Sequence, residues 1–395
     1  MAPKSFLISD GAVVTPAGVI DPGVLHVQGG TIAGIWPKES APQQLIKRTP
    51  SIDGRGLYVM AGFIDQHIHG AMGFDVMDDN DSALDAIATV APSFGVTSIC
   101  PATMAAPVPK LVSILGRIAN AAERDVPLGA RILGANLEGP FLSPQACGAH
   151  ERTHIFPPTL NIFRKLQDAA RGHLMLMTVA PEVEGALQLI EYASRRDVVV
   201  SIGHTHATFE QTCDGIIRGA RCATHMFNAM LPIDRRQPGP SAALLLASHV
   251  ALEVIADGHL LHPGIVQIIC TVAGPGRVIL ISDSLRPVGL AAREPFTLGR
   301  RRVYVRDGVC VLSSGRIWGS LLTLNRAVAN VADICNYDPV SLSIMASQNA
   351  AKLLGWWSTK GSLEVGKDAD ILLCDRNYRL VQTFTEGNCT YQEVL

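Results

Sequence analysis

The stretch "AGFIDQHIHG", residues 61 to 70, passes through Phe63 and Ile64 and ends in His67-x-His69. Side chains two apart on a strand point the same way, so these two imidazoles can grip one ion together. Further along, "GANLEGPF" carries Glu138, "VSIGHTH" carries His204, "CATHMFNAM" carries His225 and "LISDS" carries Asp283. Imidazole and carboxylate are the donors taken by Zn2+ and other divalent first-row ions. His67 and His69 suit one ion; Glu138, His204 and His225 suit another, with Glu138 able to bridge. Asp283 is left for a proton. A carboxylate beside a metal-activated water takes its proton during attack and hands it to a leaving group. The chemistry expected of this set is hydrolysis.

Taken singly, each residue has a plainer explanation. His-x-His alone is a weak signal, a strand-end His or Glu is commonly a hydrogen-bonded structural residue, and an Asp after a strand is often a helix N-cap. Their joint placement carries the argument. Runs rich in Val, Ile and Leu occur at 59–65, 95–101, 131–137, 174–180, 198–203, 221–227, 251–257 and 277–282. Segments of helical period separate them, among them "DSALDAIATVAPSF", "PKLVSILGRIANAAERD" and "ATFEQTCDGIIRGA". This alternation is the signature of a parallel sheet covered on both faces. Eight strands, each followed by a helix, predict a (β/α)8 TIM-type barrel whose strand C-termini share one mouth. The candidate residues sit at five of those eight ends.

Residues 5 to 58 read instead as short strands broken by Gly, Asp and Pro, as do "RRVYVRDGVCVLSSGR" and the final "GSLEVGKDADILLCDRNYRLVQTFTEGN". Two helices are predicted before that last stretch, at about 320–335 and 340–355. The chain ends share one texture, so residues 1–58 and 357–395 are expected to form one small β-sandwich domain beside a catalytic barrel of 59–356.

Hydrophobic residues make up 48% of the 395 and charged residues 17%, which fits a large buried core and excludes disorder. A formal charge of −2 without Lys/Arg clusters excludes a nucleic-acid partner, and no basic amphipathic stretch points to a membrane surface. No apolar run approaches the roughly 20 residues needed to span a bilayer. The nine cysteines are scattered and contain no C-x-x-C pair, as in a reduced cytoplasmic protein. The N-terminal "MAPKSFLISDGAVV" has too short an apolar run for a signal peptide. His206 is expected to face solvent, and His26, His154, His173, His249 and His262 to be structural.

His-x-His, "LEGPF", "GAH", "GHTHAT", "THMFNAM", "IADG", the last-strand Asp and the "GSLEVGKDADI" ending together resemble the amidohydrolase superfamily, and within it the N-acetylglucosamine-6-phosphate deacetylase family. The resemblance covers nearly the whole chain. It implies that Glu138, His204 and His225 hold the main metal, that His67 and His69 can hold a second, and that Asp283 is the general acid/base. It implies one or two divalent ions per subunit, Zn2+ first, with Fe2+, Mn2+ or Co2+ as alternatives. His150 matches a sugar contact, Asn228 and Ala229 match phosphate contacts, and Arg236 matches an arginine reaching the phosphate of a neighbouring subunit's substrate in a homodimer. The implied reaction is hydrolysis of the N-acetyl amide of N-acetylglucosamine 6-phosphate, giving glucosamine 6-phosphate and acetate.

The chain departs from that pattern at Asp257-Gly258-His259-Leu260, where Leu260 stands in place of an expected substrate-contacting histidine. His259 is the candidate to replace it by a local shift. Ser284, Leu285, Arg286 and Trp318 also differ from the usual residues. These departures leave open the galactosamine epimer or an unphosphorylated N-acyl compound as substrate, and a catalytically silent sugar-phosphate binder as the non-enzymatic alternative.

Overall fold

The computed structural model describes residues 5–124, 129–290, 295–298 and 301–393. Eight parallel strands form the barrel: β1 (Phe63–Ile68), β2 (Val96–Pro101), β3 (Ala135–Glu138), β4 (Leu174–Val179), β5 (Val199–Ile202), β6 (Cys222–Ala223), β7 (Ala251–Val254) and β8 (Val278–Leu280). β3 to β8 pair in sequence order, and β1 pairs with β2. An Ala102–Asn136 bridge joins the end of β2 to β3, and Asp283 N–H donates to His67 O at 2.9 Å, tying the end of β8 to β1. The strands are buried along their length because helices cover the outer face. The helix Val108–Ala122 turns Leu111, Ile114, Leu115, Ile118 and Ala119 inward, the spacing of one helical face. The helix Phe209–Ile217 begins at Thr208, whose side chain forms a reciprocal capping box with Gln211.

The run expected as one strand over 59–65 is divided. Tyr58–Ala61 pairs with the terminal strands, whereas β1 starts at Phe63. Gly62 makes the crossing, packed so closely on β2 that a Cβ there would lie 2.2 Å from Thr97 Oγ1. The second expected terminal helix also differs: Pro339–Ser343 and Asn349–Leu353 flank a π turn at Ile344–Gln348. Polar side chains explain the extra residue. Ser347 Oγ donates to Gly62 O at 2.9 Å, and Asn349 Nδ2 to Pro275 O and Val278 O at 2.7 Å each, drawing this segment onto the barrel floor.

Strands from both chain ends share one sheet, ordered Asn388–Gln392, Leu380–Thr385, Ile371–Cys374, Tyr58–Ala61, Phe6–Thr15, Gly18–Gln28 and Thr31–Pro37, with Ser51–Asp53 also on Phe6–Thr15. Phe6 and Phe384 lie three strand steps apart, about 14 Å in a flat sheet. Their rings are 5.1 Å apart, so the sheet rolls over its own core of Ile8, Leu25, Val27, Val59 and Ile371. A buried ionic knot fixes it to the barrel. Lys360 Nζ lies 2.8 Å from Asp370 and 3.4 Å from Glu386, and Glu386 accepts from Arg131 at 2.7 and 2.8 Å. After β8, Phe296–Leu298, Arg301–Arg306, Val309–Leu312 and Ile317–Ser320 form an antiparallel sheet, which includes the short strands expected in "RRVYVRDGVCVLSSGR". A Ser284–Ser320 bridge sets it against the barrel mouth. No helix among the described residues is long and apolar enough to cross a membrane.

Candidate active site

The ends of β1, β3, β5, β6 and β8 bring His67, His69, Glu138, His204, His225 and Asp283 to one point. Glu138 stands at the centre. Its Oε1 is 3.0 Å from His225 Nε2, 3.2 Å from His204 Nε2 and 3.4 Å from His67 Nε2, and its Oε2 is 3.1 Å from His69 Nε2. Asp283 Oδ1 is 3.2 Å from His69 Nε2. Two donor groups, His67/His69/Glu138 and Glu138/His204/His225, each have their ligand atoms within 4.8 Å of one another. The five side chains of these groups are almost fully buried, whereas the Asp283 side chain is 18% exposed and opens into the cavity where a substrate would sit.

The second nitrogen of each ring decides what the first can do. His67 Nδ1 lies 3.0 Å from Glu253 Oε2, His69 Nδ1 is 3.1 Å from Ala102 O, and His204 Nδ1 is 2.8 Å from Ala146 O. Those oxygens only accept, so each Nδ1 carries a proton and each Nε2, in the neutral ring, presents a lone pair to the centre. His150 is the reverse. Its Nδ1 accepts from Ala105 N at 3.0 Å, which puts the proton on Nε2, 3.4 Å from Glu138 Oε2. Three inward lone pairs around a carboxylate are a donor set for a cation, and these residues fit a divalent ion.

The local field agrees. Burial pushes His69 down, but Asp283 and Glu138 outweigh it and raise the ring to about 10. Burial likewise opposes protonation of His67, and Glu138 and Glu253 lift it well above its ordinary value. His204, lowered by burial and then by His150, sits at about 4. Burial would raise Asp283, yet the hydrogen bond with His69 and the charges of His67, His69 and His225 pull it below the ordinary carboxylate range. The pocket's carboxylates therefore call for positive charge, from protons or from an ion.

Backbone strain concentrates here. His204, His225, Phe227, Ala229 and Asp283 have φ of 47°, 29°, 70°, 50° and 45°, a region that non-glycine residues seldom occupy. The turns after β5, β6 and β8 accept this conformation and so aim side chains that straight strands would send elsewhere; β6, expected over 221–227, is accordingly only two residues long. Gly148 of "GAH" has φ 55°, and a Cβ on it would lie 2.8 Å from His204 Cε1.

A cavity of about 490 Å3 lies over this centre and includes His150, Asn228, Ala229, Leu260, Asp283 and Trp318 in its wall. Two candidates fall outside it. His259 is exposed, turned away by the Asx turn in which Asp257 Oδ1 accepts from the His259 and Leu260 N–H groups, so it does not take the place that Leu260 occupies. Arg236 is exposed on the loop after β6 and does not line its own chain's cavity. His206, expected in solvent, lines the cavity, its N–H held by Glu182 Oε1 at 2.6 Å. Glu253 was missed: fully buried, it also accepts from Gln66 Nε2 at 2.7 Å. Its signal was a lone acid within the apolar run "VALEVIA".

Fold and site together define a metal-dependent hydrolase built on a (β/α)8 barrel. The chain belongs to the amidohydrolase family, whose model matches residues 58–392. It is 34% identical over 393 residues to the N-acetylglucosamine-6-phosphate deacetylase of Bacillus subtilis (strain 168), covering 98% of both chains. It is also 34% identical over 383 residues to the N-acetylgalactosamine-6-phosphate deacetylase of Escherichia coli O157:H7, covering 95% of this chain and 96% of that one. Among solved structures, a mutant N-acetyl-D-glucosamine-6-phosphate deacetylase from Mycobacterium smegmatis in complex with N-acetyl-D-glucosamine-6-phosphate matches with a TM-score of 0.91 at 28% identity, over 98% of this chain and 100% of that one.

Proposed function

We propose that this chain hydrolyses the N-acetyl amide of N-acetylglucosamine 6-phosphate to glucosamine 6-phosphate and acetate. The observation that carries this reading is the set of inward lone pairs around Glu138 with Asp283 open to the cavity beside them, in a chain similar over its whole length to deacetylases of that substrate. Glu138, His204 and His225 would hold the main ion, and His67 and His69 with Glu138 are a donor group for a second. Zn2+ is the ion proposed first, and its Lewis acidity would activate water and polarise the acetyl carbonyl. Asp283 starts as a carboxylate. It takes a proton from the attacking water at Oδ1 and delivers it to the amide nitrogen as the C–N bond breaks. His150, with its proton on Nε2, donates to the oxygen on which negative charge develops. Asn228 and Ala229 receive the phosphate.

Arg236 is exposed and away from its own chain's cavity, and in a homodimer it would be the arginine that reaches the phosphate in the neighbouring subunit, as the family resemblance implies. Nine free cysteines support a reducing, cytoplasmic setting. A second reading, deacetylation of the galactosamine epimer, is favoured by Leu260 and Trp318 in the cavity wall and by the Escherichia coli relative.

The test is acetate release by metal-reconstituted protein from N-acetylglucosamine 6-phosphate, its galactosamine epimer and the unphosphorylated sugar. The first should be preferred, and Asp283→Asn should lower kcat by about 100-fold or more with the ion retained. Preference for the epimer transfers the assignment to it, and no acetate from any of the three rejects the proposal.

A further inference from the structure

Beside the cavity over Glu138, on the side of β1 to β3, opens a second cavity of about 940 Å3. The two share a seam that includes His150, Arg152, Leu285, Arg316 and Trp318. The first cavity alone is in the size range that buries a small ligand. Glu138, Asp283, Asn228 and Ala229, to which the proposed reading gives the acetyl group and the phosphate, line the first cavity and not the second.

Among the described residues its charged lining is mainly basic. Lys110, Arg152, Arg286, Arg301 and Arg316 line it, against the carboxylates Asp75, Asp78 and Glu151. Arg286 engages two of these, Asp78 at 2.7 Å and Asp75 at 3.6 Å. Among the described residues, Arg152, Arg301 and Arg316 have no carboxylate within 4.0 Å. Trp318 steadies two of them: the Arg301 guanidinium is 4.8 Å and that of Arg316 5.9 Å from its ring centroid. Guanidinium groups steadied on an indole and lacking an internal counter-ion are recognition groups for a phosphate or carboxylate.

We infer that the second cavity is a subsite for a further anionic substituent of the substrate, beyond its 6-phosphate, with Arg301 and Arg316 as the contacts and Trp318 as their platform. The inference rests on the reading of the first cavity as the amino-sugar site. It extends the substrates of this site to N-acyl amino sugar phosphates that carry a second anionic group.

Equilibrium titration tests it on metal-reconstituted protein, using non-hydrolysable sugars that lack the acetyl group. The probes are glucosamine 6-phosphate, glucosamine 1,6-bisphosphate and the 3-O-carboxymethyl ether of glucosamine 6-phosphate. One of the doubly anionic sugars should bind about 10-fold tighter than the monophosphate. The bisphosphate winning assigns the subsite to phosphate, and the ether winning assigns it to carboxylate. Arg301→Gln should abolish the advantage. Arg302→Gln, exposed on the same strand and lining neither cavity, should retain it. Equal binding of all three sugars, or equal loss in both variants, overturns the subsite. Acetate release from N-acetylglucosamine 6-phosphate, measured alongside, should be unchanged in Arg301→Gln. Its absence in the unmutated protein would reject the proposed activity, while the binding series would still decide the subsite.

Discussion

His150 and His204 meet edge to face, ring centroids 4.6 Å apart, with opposite protons: His204 donates from Nδ1 to Ala146 O, whereas His150 accepts at Nδ1 from Ala105 N. One ring therefore offers the centre a lone pair and its neighbour offers a hydrogen. On the proposed reading this difference would separate ion-holding from oxyanion stabilisation in two residues of the same type. His204→Ala should lose the ion. His150→Ala should keep it while kcat/KM falls by about 10²- to 10³-fold, the cost of removing one oxyanion donor. Ion content by elemental analysis beside the kinetics checks both, and equal ion loss in the two variants would contradict the assignment.

Glu253 reaches no substrate, but it fixes the ring of His67 through Nδ1. Partners of this kind orient a ligand and raise its basicity. Glu253→Gln should weaken ion affinity by about 10- to 100-fold in a chelator competition. An affinity within twofold of the unmutated protein would refute the role.

Ion uptake should release protons. His69 is raised to about 10 and His67 well above its ordinary value in the ion-free site, with their Nε2 atoms 3.3 Å apart, so the pair carries at least one inward proton at pH 7.5. An incoming ion must displace it, so apparent affinity rises as pH rises above neutrality and falls in acid. Calorimetric titration in two buffers of different ionisation heat counts the protons. At least one per protein is expected, and none would show that the rings bind the ion without displacement.

The barrel was legible because buried parallel strands must be apolar throughout, so eight runs stood out, and because chemistry at strand ends interrupts them with His, Glu and Asp. What the sequence concealed depends on conformation. The positive φ at His225 and Phe227 shortens β6 and is invisible in "CATHMFNAM". His259 and Leu260 are neighbours in the chain, and only the Asx turn at Asp257 puts Leu260 in the wall and His259 outside. Glu253 looked like an interruption because its partners, Gln66 and His67, are more than 180 residues away.

Lys360 offers a test of the joint between barrel and terminal sheet. It is 2% exposed, with Asp370 at 2.8 Å and Asp368 at 2.9 Å, and Glu386 links the group to Arg131 ahead of β3. Burial would lower this lysine, but Asp370 and Asp368 hold it above its ordinary value, so it remains charged. Lys360→Met leaves Asp370 buried without its cation and should cost about 3–5 kcal/mol of stability. Adding Asp370→Asn should recover most of that, because the amide oxygen still accepts the 2.9 Å bond from Glu386 N without a buried charge. Denaturant midpoints of the two variants measure the difference. A single-variant loss below about 1 kcal/mol would mean that the cluster is solvated and does not hold the sheet to the barrel.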